Sequence, residues 1–212
     1  MLRIENNKII FHYDAEELWI EGWGESGLRV RATKNAQMPD ENWVLDPSDR
    51  TDAETEQTDK GAWIRNGKAE LFITNGGKIT VYDKSGNLLM EEYWRNRRDV
   101  TDKKCSAIEV EAREFCPNIG GDYHLTMRWE SLDKNEKLFG MGQYQQPYLD
   151  LKGLDLELAH RNSQASVPFL ISSKGYGLLW NNPGIGRAVL GKNIISFEAF
   201  GTKALDYWIT VG

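Results

Sequence analysis

The sequence predicts an all-β, antiparallel chain, built as a sandwich or a barrel. Apolar and polar residues alternate with period two from end to end. Clusters of Gly, Asn and Asp punctuate that alternation at short intervals. No stretch carries the apolar period of a long amphipathic helix. With 212 residues the chain has room for one large domain or two small ones, and for a sizeable core.

Gly27 to Thr33 (GLRVRAT) alternates after the turn Gly24 to Gly27 and reads as a strand. Lys68–Thr74 and Lys78–Tyr82 flank Asn75-Gly76-Gly77, a hairpin signal because asparagine and glycine tolerate positive φ. Asp83 to Asn87 then turns the chain into Leu88-Leu89-Met90. Ser106–Phe115 and Tyr123–Glu130 form another pair, joined through Cys116 to Asp122. In its second arm Tyr123, Leu125, Met127 and Trp129 share one face. Leu154, Leu156 and Leu158 alternate with Asp155 and Glu157 in a strand that runs into the polar string His160-Arg161-Asn162-Ser163-Gln164.

Two segments break the rhythm. Asp46 to Ala62 is acidic and poor in apolar residues, and is expected to be a solvated surface loop. Glu91 to Arg98 sets three arginines beside two aromatics, but Glu91, Glu92, Asp99 and Asp102 offset them. A net charge of −6 and a pI near 5.2 argue against attraction to nucleic acid or to an anionic membrane, so that segment reads as a charged strand end. No apolar run approaches a membrane span, and the amino terminus has no signal-peptide pattern. Two cysteines, Cys105 and Cys116, point to a reducing compartment, hence the cytoplasm, and not to a disulfide framework. Some of the eight Trp and eight Tyr residues can serve as sugar-stacking platforms, though most such rings belong to cores and strand pairs.

Sites of chemistry are sparse. Gly186 to Asn193 has the glycine and lysine spacing of a phosphate-binding loop, but Asn193 stands where a hydroxyl should bind magnesium. A helix should follow, and Ile194-Ile195-Ser196-Phe197 reads as a strand. His12, His124 and His160 lie far apart without metal-ligand spacing, and no GxSxG elbow is present, so no metal or cofactor is expected. As an arbitrary string, Tyr144 to Phe169 ends in a solvated turn; as a functional one, its Arg and Asn can donate hydrogen bonds to a polyhydroxylated ligand.

Four strings in order carry a resemblance: LWIEGWGESGLRVRAT at Leu18–Thr33, KLFGMGQ at Lys137–Gln143, PFLISSKGYGLLWNN at Pro168–Asn182, and DYWI at Asp206–Ile209. Together they resemble the amino-terminal β-sandwich of glycoside hydrolase family 31, the α-glucosidases and α-xylosidases, over essentially the whole chain. The resemblance implies an antiparallel, galactose-mutarotase-like supersandwich in which KGYGLLW is a strand and NNPGIGR its turn. It implies that residues 1–212 form an amino-terminal domain, with a catalytic (β/α)₈ barrel of the same polypeptide after Gly212 as its partner. The family's nucleophile sits in a WxDMNE-like motif, absent here, so no catalytic residue is expected in this chain. Family members extend a loop over the barrel mouth whose Arg-Asp pair contacts the sugar. The matching position reads Arg161-Asn162, with His160 beside it, and the ligand implied is an α-linked oligosaccharide. Asparagine replaces a charged acceptor by a neutral amide that both donates and accepts. Gly140 to Gln143 is expected to shape a turn. The competing readings are a free-standing carbohydrate-binding module and a mutarotase-like epimerase, whose two placed histidines are not recognisable here.

Overall fold

Nearly every alternating segment pairs into antiparallel sheet in the computed structural model, which describes residues 1–97, 100 and 103–212. The first strands are β1 (Leu2–Glu5), β2 (Lys8–Tyr13), β3 (Glu16–Trp23), β4 (Gly27–Thr33), β5 (Arg50–Thr51) and β6 (Glu54–Thr58). Then come β7 (Gly61–Asn66), β8 (Ala69–Thr74), β9 (Ile79–Asp83), β10 (Leu88–Glu91), β11 (Arg113–Pro117), β12 (Tyr123–Glu130) and β13 (Leu138–Gln143). The last are β14 (Asp155–Leu158), β15 (Ala165–Ser172), β16 (Tyr176–Trp180), β17 (Gly186–Leu190), β18 (Ile194–Thr202) and β19 (Leu205–Val211).

One nine-stranded sheet runs β1-β2-β3-β4-β19-β16-β15-β13, with β5 paired to β3. Two five-stranded sheets, β10-β9-β8-β7-β6 and β11-β12-β18-β17-β14, make the opposite layer. Side-chain alternation explains why the layers close on each other. Leu125, Met127 and Trp129 of β12 and Ile195, Phe197 and Ala199 of β18 are buried, as are Leu178 and Trp180 of β16 and Tyr207 and Ile209 of β19. The rings meet across the layers, with Trp129 edge-on to Tyr207 at 5.5 Å and Trp180 tilted against Phe197 at 5.5 Å.

A buried ion triad joins all three sheets. Arg113 of β11 donates from Nε to Glu16 Oε1 of β3 at 2.6 Å, from Nη1 to Glu92 Oε1, and from Nη2 to the Gly77 carbonyl at 3.0 Å. Glu92 also accepts the Ile79 N–H at 2.9 Å and bridges to Trp129, stitching the two smaller sheets edge to edge. Burial raises the Glu92 carboxyl, and Arg113 opposes that shift.

A second polar network lies on the outer face of the large sheet. Asp206 accepts from Arg29 Nε at 3.0 Å, Arg29 Nη2 at 2.6 Å and Asn181 Nδ2 at 2.7 Å. Arg31 donates to Glu21 at 2.5 Å, and Arg50 completes that pair from β5. Arg29 and Arg31 stand over the Trp23 and Trp19 rings at 4.7 and 5.1 Å. Arg29 Nη2 also donates to the Glu41 carbonyl and Arg31 Nη1 to that of Pro39, pinning an irregular segment onto the sheet.

Several sequence expectations are corrected. Asp46–Ala62 is not one solvated loop: it holds a 3₁₀ turn at Pro47–Asp49, β5, β6 and the start of β7. β6 (ETEQT) is the edge of its sheet, so its polar side chains meet solvent while its backbone pairs with β7. The first arm of the Ser106–Phe115 pair is ordered as strand only from Arg113. Within Glu91–Arg98, the strand ends at Glu91 as expected, and Arg95 donates to Glu130 at 2.6 and 3.2 Å. Arg98, Asp99 and Asp102 lie outside the described residues. Cys105 and Cys116 are unpaired.

Arg113→Met removes the cation and leaves two carboxylates at the sheet junction. It is expected to lower the unfolding free energy by about 3–5 kcal/mol in urea titration, and a loss within about 0.5 kcal/mol would show that the triad does not hold the layers together. Hydrogen bonds also hold four surface carboxyls below their ordinary values: Asp46 by Ser48, Asp83 by Asn87, Glu114 by Arg128 and Asp155 by Arg187. Such depressed groups stabilise the fold above their unfolded pKa, and that share is lost as pH falls through the folded pKa. Urea midpoints are expected to drop below about pH 4, and a flat profile to about pH 2 would contradict it.

Candidate functional site

The polar string His160–Gln164 is the tip of a corner between the two layers. β14 is the last strand of a five-stranded sheet, and β15 lies near the margin of the nine-stranded one. Between them the chain reverses at Arg161–Gln164, where Gln164 N–H donates to the Arg161 carbonyl at 3.0 Å and Ser163 takes a φ of 69°. Tyr144 fixes the corner from beneath: its Oη donates to the Glu157 carbonyl at 2.9 Å and lies 3.0 Å from Ser166 Oγ. One side chain thus ties β14 to β15.

Tyr144 reaches that position because of the segment before it. Gly140, Met141 and Gly142 adopt φ of 97°, 65° and 92°, and the β13–β15 register shifts between Gly140 and Gly142. The GMGQ string is therefore a bulged strand and not a turn. A Cβ on Gly142 would lie 2.2 Å from the Ala165 carbonyl oxygen, and one on Gly140 2.4 Å from that of Phe169. Only glycine lets the two backbones approach so closely.

The tip separates the three expected contact residues. Arg161 is exposed and pairs with Glu157, four residues earlier on β14. It stands on a polar cleft of about 380 Å³ with Tyr144, Gln145, Gln146, Asp155 and Gln164. His160 faces the other way, into an apolar groove of about 270 Å³ with Trp43, Val44, Val167, Pro168 and Ile185. Its Nδ1 accepts the Ser166 N–H at 3.4 Å. Asn162 is exposed at the apex and belongs to the wall of neither. Sequence reading missed Tyr144 as the staple and Trp43 as a wall. The signal for Trp43 is an aromatic in an irregular, proline-flanked run (PDENWVLDP), where no strand partner accounts for it.

The cleft is built for hydrogen bonding and not for proton transfer. Asp155 is held by Arg187, donating from Nε at 2.7 Å, and its carboxyl lies below the ordinary range. Glu157 is paired with Arg161, so each of the two carboxylates is an acceptor already engaged by an arginine. Among the described residues no group of three His, Cys, Asp or Glu side chains gathers as a metal site requires. His124, the remaining histidine with a carboxylate partner, meets Glu198 at 3.1 Å on the β12–β18 face. The phosphate-loop spacing falls on β17, a strand followed by another strand.

Residues 17–186 match the family described as the glycosyl hydrolase 31 N-terminal galactose mutarotase-like domain. The chain belongs to that family. It is 45% identical over 214 residues to a family 31 glucosidase, otherwise uncharacterised, of Pseudescherichia vulneris, covering 97% of this chain and 40% of that protein. It is 30% identical to an α-xylosidase of Saccharolobus solfataricus over 66% of this chain and 18% of the other. Among solved structures, a GH31 α-xylosidase from a soil metagenome, crystallised with xylose, superposes with a TM-score of 0.94 at 42% identity. That match covers 100% of this chain and 32% of the xylosidase. A xylosidase of Aspergillus niger shares the fold with a TM-score of 0.79 at 23% identity. The chain thus spans well under half the length of these relatives.

The bulge carries a test. Gly142→Val places a branched side chain at positive φ against the Ala165 carbonyl, and is expected to destabilise the domain by about 1–3 kcal/mol in chemical denaturation. Wild-type stability in that variant would show that the bulge does not set the corner.

Proposed function

We propose that residues 1–212 are the non-catalytic amino-terminal wall of a retaining α-glycosidase, acting on α-glucosides or α-xylosides. A (β/α)₈ catalytic barrel follows in the same polypeptide, and the corner at Ala159–Gln164 lends part of the rim of its active site. The observation that carries this reading is the polar cleft at that corner, with Arg161 at its lip and amide and hydroxyl groups behind it. Sugar hydroxyls both donate and accept, and this wall offers both kinds of partner. Family membership and the larger size of the relatives support a following catalytic domain.

In this reading the bond-breaking acids belong to the barrel, where hydrolysis passes through a glycosyl-enzyme intermediate and an oxocarbenium-like transition state. Arg161 orients sugar, and Asn162 at the apex adds a neutral amide in place of the acid that other family members use. The apolar groove beside His160, walled by the exposed Trp43, Val44 and Ile185, is the seat for the catalytic domain. The unpaired cysteines fit a cytoplasmic protein, and no helix among the described residues is long and apolar enough to cross a membrane.

In the polypeptide that carries the catalytic domain, Arg161→Ala is expected to lower kcat/KM by about tenfold on its α-glycoside substrates, the scale of one charged hydrogen bond. Steady-state kinetics on α-xyloside and α-glucoside substrates checks it. Unchanged values on all of them would remove the corner from the active site.

A further inference from the structure

A third concavity, of about 530 Å³, opens on the other margin of the sandwich, where the β2–β3 hairpin, the β8–β9 turn and the segments around Trp94 and Val110 meet. The β11 and β2–β3 side of the molecule is separated from the β14–β15 corner by the width of both layers. The cavity is a site distinct from the rim.

Its walls follow from local pairing. Arg95 and Val110 exchange backbone hydrogen bonds at 3.0 and 2.9 Å, making a short antiparallel ribbon. Alternation then sends the flanking residues Trp94, Asn96, Glu109 and Glu111 to one face, which is the cavity wall. Arg95 goes to the opposite face, stacked on Tyr93 at 3.8 Å and held by Glu130. Across the opening, Tyr13 continues the inward-facing row of β2 beyond the core and is 66% exposed. The floor is the ion triad, with Arg113 6% exposed and already committed to Glu16, Glu92 and Gly77.

This lining specifies a ligand chemistry. Glu109 and Glu111 are exposed carboxyl acceptors with no side-chain donor among the described residues, and Arg113, the one cation that the described residues place in the wall, faces its own partners. An anionic ligand is repelled. Trp94 and Tyr13 add two ring faces, which suit the C–H face of a pyranose. The volume lies in the range of small-molecule sites, roughly 300–1,000 Å³. We propose that this cavity binds a neutral saccharide, its hydroxyls donating to Glu109 and Glu111 and its ring lying against Trp94, as a site of the domain itself. The proposal does not depend on the rim reading.

Isothermal titration calorimetry of residues 1–212 with xylose, glucose and maltotriose tests it, with spermidine as the cationic control. At least one sugar is expected to bind in the millimolar range. Trp94→Ala and, at a solvent-exposed position where folding is not at stake, Glu111→Gln are each expected to weaken that affinity by about tenfold. Matching circular dichroism spectra confirm that the variants are folded. Flat titrations with all three sugars overturn the proposal, as does sugar affinity unchanged in both variants. Spermidine binding in place of sugar overturns the ligand class. Loss of binding in Arg161→Ala instead would assign the sugar to the rim and leave this cavity without a function.

Discussion

The Glu16–Arg113–Glu92 triad is the constraint on which this architecture rests. Each member comes from a different sheet or from the connection that leaves it, and the Glu92 side chain is 0% exposed. A sandwich whose second layer is split into two five-stranded sheets has an internal seam, and apolar packing alone does not specify how the halves meet. The seam is closed by directional bonds: Glu92 accepts from Ile79 on one side and from Arg113 on the other. Burying these ions carries a desolvation penalty, visible in the raised Glu92 carboxyl, and the return is a fixed mutual orientation of three sheets.

The outer face of the large sheet solves a different problem with the same chemistry. Central strands β4 and β19 carry Arg29, Arg31 and Asp206 where an exposed face usually carries short polar residues. These charges are buried beneath an irregular segment whose Pro39 and Glu41 carbonyls they bind. A chain with little apolar content of its own is thereby fastened down, and Trp43 and Val44 are presented beside His160. The apolar groove at the corner thus depends on a charge ladder that begins on the strand next to β16, where Asn181 of the groove wall donates to Asp206.

Much of the fold was legible because period-two alternation reports burial on one face, and β8, β9 and β12 each show it. The edge strand β6 was not legible. Its partner β7 supplies the backbone bonds, and neither of its faces requires apolar residues, so ETEQT looks like loop. The bulge at Gly140–Gly142 was misread for a related reason: two glycines one residue apart signal positive φ, and a turn and a bulge use it equally. At the corner, the sequence and its family resemblance pointed to Arg161, Asn162 and His160, but adjacency in sequence hid their divergence. A reversal at Arg161–Gln164 sends neighbours to opposite sides, which only the register of β14 and β15 with their different sheets reveals. Arg113 was invisible as a junction because its partners lie 97 and 21 residues away.

The arginines of this domain fall into two classes, and the difference bears on the proposed rim contact. Arg29, Arg31 and Arg113 are buried with fixed partners, so their geometry is part of the scaffold. Arg161 is different: its side chain is 61% exposed, and so is nearly half of its partner Glu157. An exposed ion pair is worth only about 0–1 kcal/mol, so exchanging Glu157 for a sugar hydroxyl disturbs little. The backbone beneath it does not share that freedom, being held by Tyr144, by the glycine bulge and by strands of two sheets. Under the proposed function, an exposed guanidinium on a braced corner lowers the ordering cost of binding to that of one side chain, which is what positioning a substrate from outside the catalytic domain would demand.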